Sequence, residues 1–215
     1  MNDSWPYCSL WQATQLAAYQ CGSAEENMSH DLTSVKIAAL VAAGFEQDHF
    51  LEAQEFLHRA GATVTTVSAG TDQLPEAGKA GKPLANIAVE SADGTGFDAL
   101  LLPGGKESAD SLSRNPAAIE FVRTFLAASK PIGAVAHGAK VLVAADGVTG
   151  LRVAADPALR GAIENAAGVW TEKLVAYDRY LVTAAHIQAI EPFCDAFAQN
   201  CTNHKDGSGS SLHTD

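Results

Sequence analysis

Apolar positions along the chain alternate between two rhythms, short unbroken runs and longer stretches with a helical repeat. Val35–Val41 (VKIAALV) is a continuous apolar run of the kind that makes a strand buried on both faces. After a turn at Gly44, Phe50, Ala53, Phe56 and Leu57 recur at helical spacing within Gln47–Arg59, and Gly61 marks the stop. Ala62–Ser68 (ATVTTVS) is rich in β-branched residues and reads as a second strand. A Gly- and Pro-rich stretch follows, and then Phe97–Leu102 (FDALLL), a buried strand ended by Pro103-Gly104-Gly105.

The second half repeats the theme. Asn115 before Pro116 is a good N-cap and first-turn pair, and Ile119, Val122, Phe125 and Leu126 continue the helix it opens. Pro131–Val135 (PIGAV) predicts another central strand, and His137–Ala145 a helix directly after it. Leu174–Ala176 and Tyr180–Thr183 flank a turn at Asp178-Arg179, and Ala189–Gln199 predicts a last helix. Strands alternating with helices imply a parallel sheet covered on both faces. Ligands of such sheets bind beyond the carboxyl ends of the strands. Three loops fall there, at Gly44-Phe45-Glu46, Pro103-Gly104-Gly105 and Ala136-His137-Gly138.

The ends differ from this pattern. Residues 1–34 read as an extension: Trp5–Gln20 forms a short aromatic-bearing amphipathic helix, and a polar connector leads to residue 34. Residues 35–200 make the domain, and residues 201–215, Gly/Ser-rich from Asn203 onward, read as a flexible tail. A formal net charge of −11 repels phosphate backbones, so nucleic acid is a poor partner. No stretch approaches the roughly 20 apolar residues that span a bilayer. The first 30 residues lack a secretory pattern, which leaves a cytoplasmic location as the expectation. Cys8, Cys21, Cys194 and Cys201 form no CxxC pair and no zinc-ligand spacing, so neither metal nor cofactor is expected.

Chemistry concentrates at Gly133-Ala134-Val135-Ala136-His137-Gly138, where a buried strand passes into a helix through small residues. This is the layout of a nucleophile elbow, which presents one side chain on a tight turn, with nearby backbone N–H groups able to hold an anion. Small residues also suit a tight packed corner, and spacing alone leans to that plainer reading.

A resemblance carries the argument further. GAVAHGAKVLVAADGV resembles the elbow of the PfpI/ThiJ superfamily, which includes the parkinsonism-associated deglycase and reads approximately Ala-Ile-Cys-His-Gly there. Gly44-Phe45-Glu46, with Asp48 after it, resembles the family's first-loop Gly-Phe-Glu. Phe97-Asp98-Ala99-Leu100 with Pro103-Gly104-Gly105 resembles its YDALxxPGG, and LVTAAHIQAIEPFCDAF is similar to its LVTSRxPxDLPAFxxAF. The resemblance runs in order from Val35 to Gln199. It implies an α/β, flavodoxin-like, doubly wound and mostly parallel sheet, and it implies homo-oligomers.

Residue by residue, the family's cysteine falls on Ala136. A methyl group cannot ionise, attack a carbonyl or be oxidised to a sulfenic acid. The family's partners of the thiol fall on Glu46 and His137, both present. Two readings stay open. One is a family domain without the nucleophile, like the C-terminal domain of large-subunit catalases, acting by binding or assembly. The other is a cysteine-dependent enzyme of small carbonyl compounds, or a protease-like one, inactivated by Cys-to-Ala at 136. Retention of Glu46 and His137 favours the second. Thr183-Ala184-Ala185-His186, standing where relatives have Thr-Ser-Arg, favours the first. A third arrangement uses Glu46, His137 and His186 for acid–base or metal-assisted work. The expected ligand is a small carbonyl or an anion, in a pocket lined by Gly104, Gly105, Gly138 and His186. Each of these residues also has a plainer role: Glu46 at a helix start, His137 and Gly138 in packing, His186 in a solvated loop. Cys194, between Phe193 and Phe197, reads as a buried small hydrophobe.

Overall fold

The structure is a computed structural model, and it describes residues 30–69 and 86–207. The helix expected at Trp5–Gln20, its connector up to residue 29, Cys8 and Cys21, and the tail from residue 208 lie outside the described residues. The centre is a seven-stranded sheet in the order β3-β2-β1-β4-β5-β9-β8. Its strands are β1 (Lys36–Val41), β2 (Thr63–Ser68), β3 (Asn86–Ala88), β4 (Ala99–Leu102), β5 (Ile132–Val135), β8 (Val175–Asp178) and β9 (Leu181–Ala184). All neighbours pair in parallel except β8, which runs antiparallel to β9 at the edge. This is the doubly wound, mostly parallel, flavodoxin-like architecture expected from the alternating pattern.

Burial explains the continuous apolar runs. In β1, Ile37, Ala39 and Val41 face one hydrophobic layer with Phe50, Leu57, Phe193 and Phe197. Ala38 and Leu40 face the other layer, with Phe121, Val122, Phe125 and Leu142. Successive side chains of a strand point to opposite faces, so a strand covered on both sides needs apolar residues at every position.

The helices are α1 (Gln47–Arg59), α2 (Lys106–Leu112), α3 (Pro116–Ala127), α4 (Ala139–Ala144), α5 (Arg160–Asn165) and α6 (Ile190–Lys205). Asn115 caps α3 as its sequence predicts: its Oδ1 accepts N–H bonds from Ala117 at 2.9 Å and Ala118 at 3.2 Å. α6 packs so closely on β5 that a Cβ at Gly133 would lie 2.9 Å from Phe193 and 3.0 Å from Phe197.

The structure departs from the sequence expectation in several places. α6 runs to Lys205 rather than stopping at Gln199, because Cys201 is still on its buried face at 3% exposure and Lys205 reaches the Thr33 carbonyl at 2.9 Å. The helix expected over His137–Ala145 opens instead as a single 3₁₀ turn, Ala136–Gly138, before α4 begins at Ala139. A second, two-stranded parallel sheet joins β6 (Arg152–Ala154) to β7 (Val169–Thr171). It is tied to the main sheet by the Ala154 N–H, which donates to the buried Thr183 hydroxyl at 2.9 Å.

Strand order reverses between β1 and β4: β2 lies to one side of β1, and the chain then returns to the other. A crevice forms outside the carboxyl ends at such a reversal, where the two flanking loops leave in opposite directions.

Candidate functional site

Three loops meet at that reversal. The first, after β1, carries Gly44, Phe45 and Glu46; the second, after β4, carries Pro103, Gly104 and Gly105; the third, after β5, carries Ala136 and His137. Phe45 anchors the first loop by burying its ring edge-on against Phe50, with centroids 5.8 Å apart. The Glu46 N–H then donates to the Gly104 carbonyl at 3.1 Å. Gly105 has a φ of +112°, and a Cβ there would meet the Gly44 carbonyl at 2.5 Å and the Phe45 Cα at 2.7 Å. Only glycine combines that conformation with that approach.

Gly104 fixes the relation between the candidate side chains. A point one Cβ above it lies 3.6 Å from Glu46 Cγ and 3.8 Å from Ala136 Cβ. Glu46 and Ala136 therefore flank the same small space, with Gly104 as its floor. Glu46 is exposed at the first turn of α1 and Ala136 is half-buried.

Ala136 is held at φ +49°. For an L-residue the left-handed region costs on the order of 1–2 kcal/mol. Such strain survives where the surroundings over-determine it, and it clusters at functional sites. The surroundings here are β5 on one side and Gly138 on the other, whose added Cβ would come within 2.5 Å of the Leu102 carbonyl. His137, next in the turn, is half-buried.

The remaining expected residues are placed as follows. Gly105 and Gly138 are buried: Gly105 lets the first two loops approach, and Gly138 lets the turn after β5 approach the Leu102 carbonyl at the end of β4. His186 is exposed in the turn after β9, the strand that pairs Ala184 with Val135 at the end of β5. Glu46, Gly104 and Ala136 are thus brought together, with His137 beside them, while His186 stands in solvent at the neighbouring strand end.

Sequence reading missed α2 and what it contributes. Its Ser108, 1% exposed, accepts the Ala42 N–H at 2.9 Å just past the end of β1. Asp110 pairs with Lys140 in α4, whose hydrogen bond holds the Asp110 carboxyl below its ordinary range. The segment KESADSL gave little signal for this: its buried residues Ser108, Ala109 and Leu112 share one helical face, but only two of them are apolar and the helix is seven residues long.

The described thiols are buried. Burial pushes the Cys194 thiol up to about 12, and Cys201 upward as well, the latter helped by the Asp98 charge. Both lie on α6, under the sheet. Among the described residues no group of three His, Cys, Asp or Glu side chains is placed to hold a metal. No helix among them is long and apolar enough to cross a membrane.

A doubly wound, mostly parallel sheet with a residue at positive φ in the turn after β5 and Glu46 of the first loop close by defines the class: a flavodoxin-like α/β domain. Within that class the chain belongs to the DJ-1/PfpI family, whose signature matches residues 35–200. It is 31% identical over 154 residues to protein/nucleic acid deglycase 2 of Escherichia coli, covering 70% of this chain and 88% of that one. It is 28% identical to general stress protein 18 of Bacillus subtilis, covering 69% and 87% of the two chains. A DJ-1 superfamily protein of Salmonella typhimurium, solved as a cysteine-to-alanine variant, superposes with a TM-score of 0.63 at 27% identity, covering 80% of this chain and 91% of that one. Drosophila melanogaster DJ-1beta shares the fold, with a TM-score of 0.69 at 19% identity over 84% of this chain and all of that one.

Proposed function

We propose that this chain is a DJ-1/PfpI domain that works by reversible binding and assembly, not by covalent cysteine catalysis. The observation that carries the reading is the residue at the corner. The left-handed position that would aim a side chain into the crevice holds the methyl of Ala136, and a methyl offers no electron pair to a carbonyl carbon. Beside that space stand a carboxylate, Glu46, and, next in the turn after Ala136, His137. These groups hold a small carbonyl compound or small anion by hydrogen bonds, with Ala136 and Gly104 supplying a narrow uncharged floor. The relatives named deglycases make small 2-oxoaldehydes the ligands to try first. Family resemblance supports a homo-oligomer as the working form, in a cytoplasmic setting and without a bound cofactor.

A second reading is favoured by one observation, the survival of a strained corner with Glu46 still facing it. On that reading the chain is a disabled form of a cysteine enzyme acting on small carbonyl compounds. Ala136→Cys separates the two. The binding reading expects no turnover of methylglyoxal by either the chain as it stands or the variant. It also expects saturable, reversible perturbation of the His137 resonances by the ligand. Sustained turnover by Ala136→Cys would transfer the conclusion to the disabled enzyme. Light scattering that finds only monomer would remove the assembly part.

A further inference from the structure

Two hydrogen bonds join the first loop to the second loop and the helix after it, at opposite ends of matching five-residue stretches. Ala42 N–H donates to the Ser108 hydroxyl at 2.9 Å, and Glu46 N–H donates to the Gly104 carbonyl at 3.1 Å. Between them the chain turns through Gly44, at φ +78°, with Glu107 packed where any side chain on Gly44 would go. Ala42 is the first residue beyond the β1 ladder, fully buried, and its N–H has left the sheet. Ser108 is itself almost wholly buried, on a helix that the Asp110–Lys140 pair braces to the elbow helix. One hydroxyl therefore connects the loop that carries Glu46 to the element that touches the elbow.

We propose that Ser108 is a positioning residue: its hydroxyl sets the first loop so that the Glu46 carboxylate faces residue 136. This rests on reading the crevice between Glu46 and Ala136 as the binding site. The physical reason is that a buried N–H without a partner seeks another acceptor. Without the Ser108 oxygen, Ala42 moves toward one and carries the start of the loop with it. Gly44 is a permissive joint that passes the movement on to Glu46.

The test uses a reporter thiol. In the full chain carrying Ala136→Cys, peptide-resolved alkylation across pH gives the pKa of the thiol at 136, with and without Glu46→Gln. A carboxylate within a few ångströms moves a neighbouring pKa by about 1–3 units. The expected Glu46-dependent shift is therefore at least about tenfold in thiolate fraction at fixed pH. Ser108→Ala is expected to reduce that dependence to about twofold or less, and Ser108→Thr, which keeps the hydroxyl, to restore it. A general loss of stability would not remove the coupling between 46 and 136 in molecules that remain folded, as judged by near-ultraviolet circular dichroism. Should Ser108→Ala fail to fold, Ser108→Cys keeps the volume and weakens the acceptor, and the same reduction is expected. An undiminished dependence in the folded Ser108 variants overturns the proposal and leaves the crevice reading standing. No Glu46 dependence even with Ser108 intact overturns both.

Discussion

Replacing Ala136 by glycine tests the corner directly, because glycine substitution normally destabilises and here should not. At φ +49° the alanine stores on the order of 1–2 kcal/mol of steric strain. Glycine releases it, at a cost of roughly 0.5–1 kcal/mol for the greater freedom of the unfolded chain. The methyl is half-buried, and losing its contacts costs about a further 0.4 kcal/mol, half the value of a fully buried carbon. The terms nearly cancel, so Ala136→Gly should lie within about 0.5 kcal/mol of the parent. Ala162, exposed within α5, is the control: Ala162→Gly relieves nothing and should cost about 1 kcal/mol. Urea denaturation at constant m-value reads both, and the gap should appear as about 2–4 °C in melting temperature. Equal losses in the two variants would mean that residue 136 is not left-handed in solution, and the elbow assignment would fall with it.

Two further outcomes follow from the packing. Gly138→Ala drives a methyl to within 2.5 Å of the Leu102 carbonyl, so the corner must move, and thermal melting should show a loss of about 3 kcal/mol or an unfolded chain. The Cys194 thiol, pushed up to about 12 by burial, stays protonated in the folded state while the unfolded thiol ionises near pH 8.5. The folded chain then binds more protons than the unfolded one, so stability should fall as pH rises from about 9 toward 12. The expected reading is a declining urea midpoint over that range, less steep in Cys194→Ala, with Cys194 and Cys201 unlabelled by thiol reagents at pH 8 until denaturant is added.

Much of this architecture was legible because the relevant forces are local. Strands such as β1 and β4 declare themselves by continuous apolar runs, which follow from burial on both faces. Asn115-Pro116 announces α3 because a side-chain oxygen and a fixed φ suit a helix start. The crevice was legible through glycines and through the order of its loops: Glu46, Gly104 and Ala136 are about ninety residues apart at the extremes, yet each follows a buried strand. What escaped was decided by tertiary contact. α2 is seven residues with a polar composition, stable because Ser108 finds a partner just past the end of β1 and Asp110 one on α4. β6 and β7 are three residues each, too short to show any period. The last turns of α6 look polar, and they are helical because Cys201 has a core to enter and Lys205 a carbonyl to reach.

The ammonium of Lys205 resting on the Thr33 carbonyl brings the first and last turns of the domain to one pole, where β1 begins. The crevice lies at the other pole, where β1 ends. A body wired in this way is a self-closed plug with its two leads side by side. Within the described residues, a connection made at that pole is set apart from the crevice by the length of the sheet.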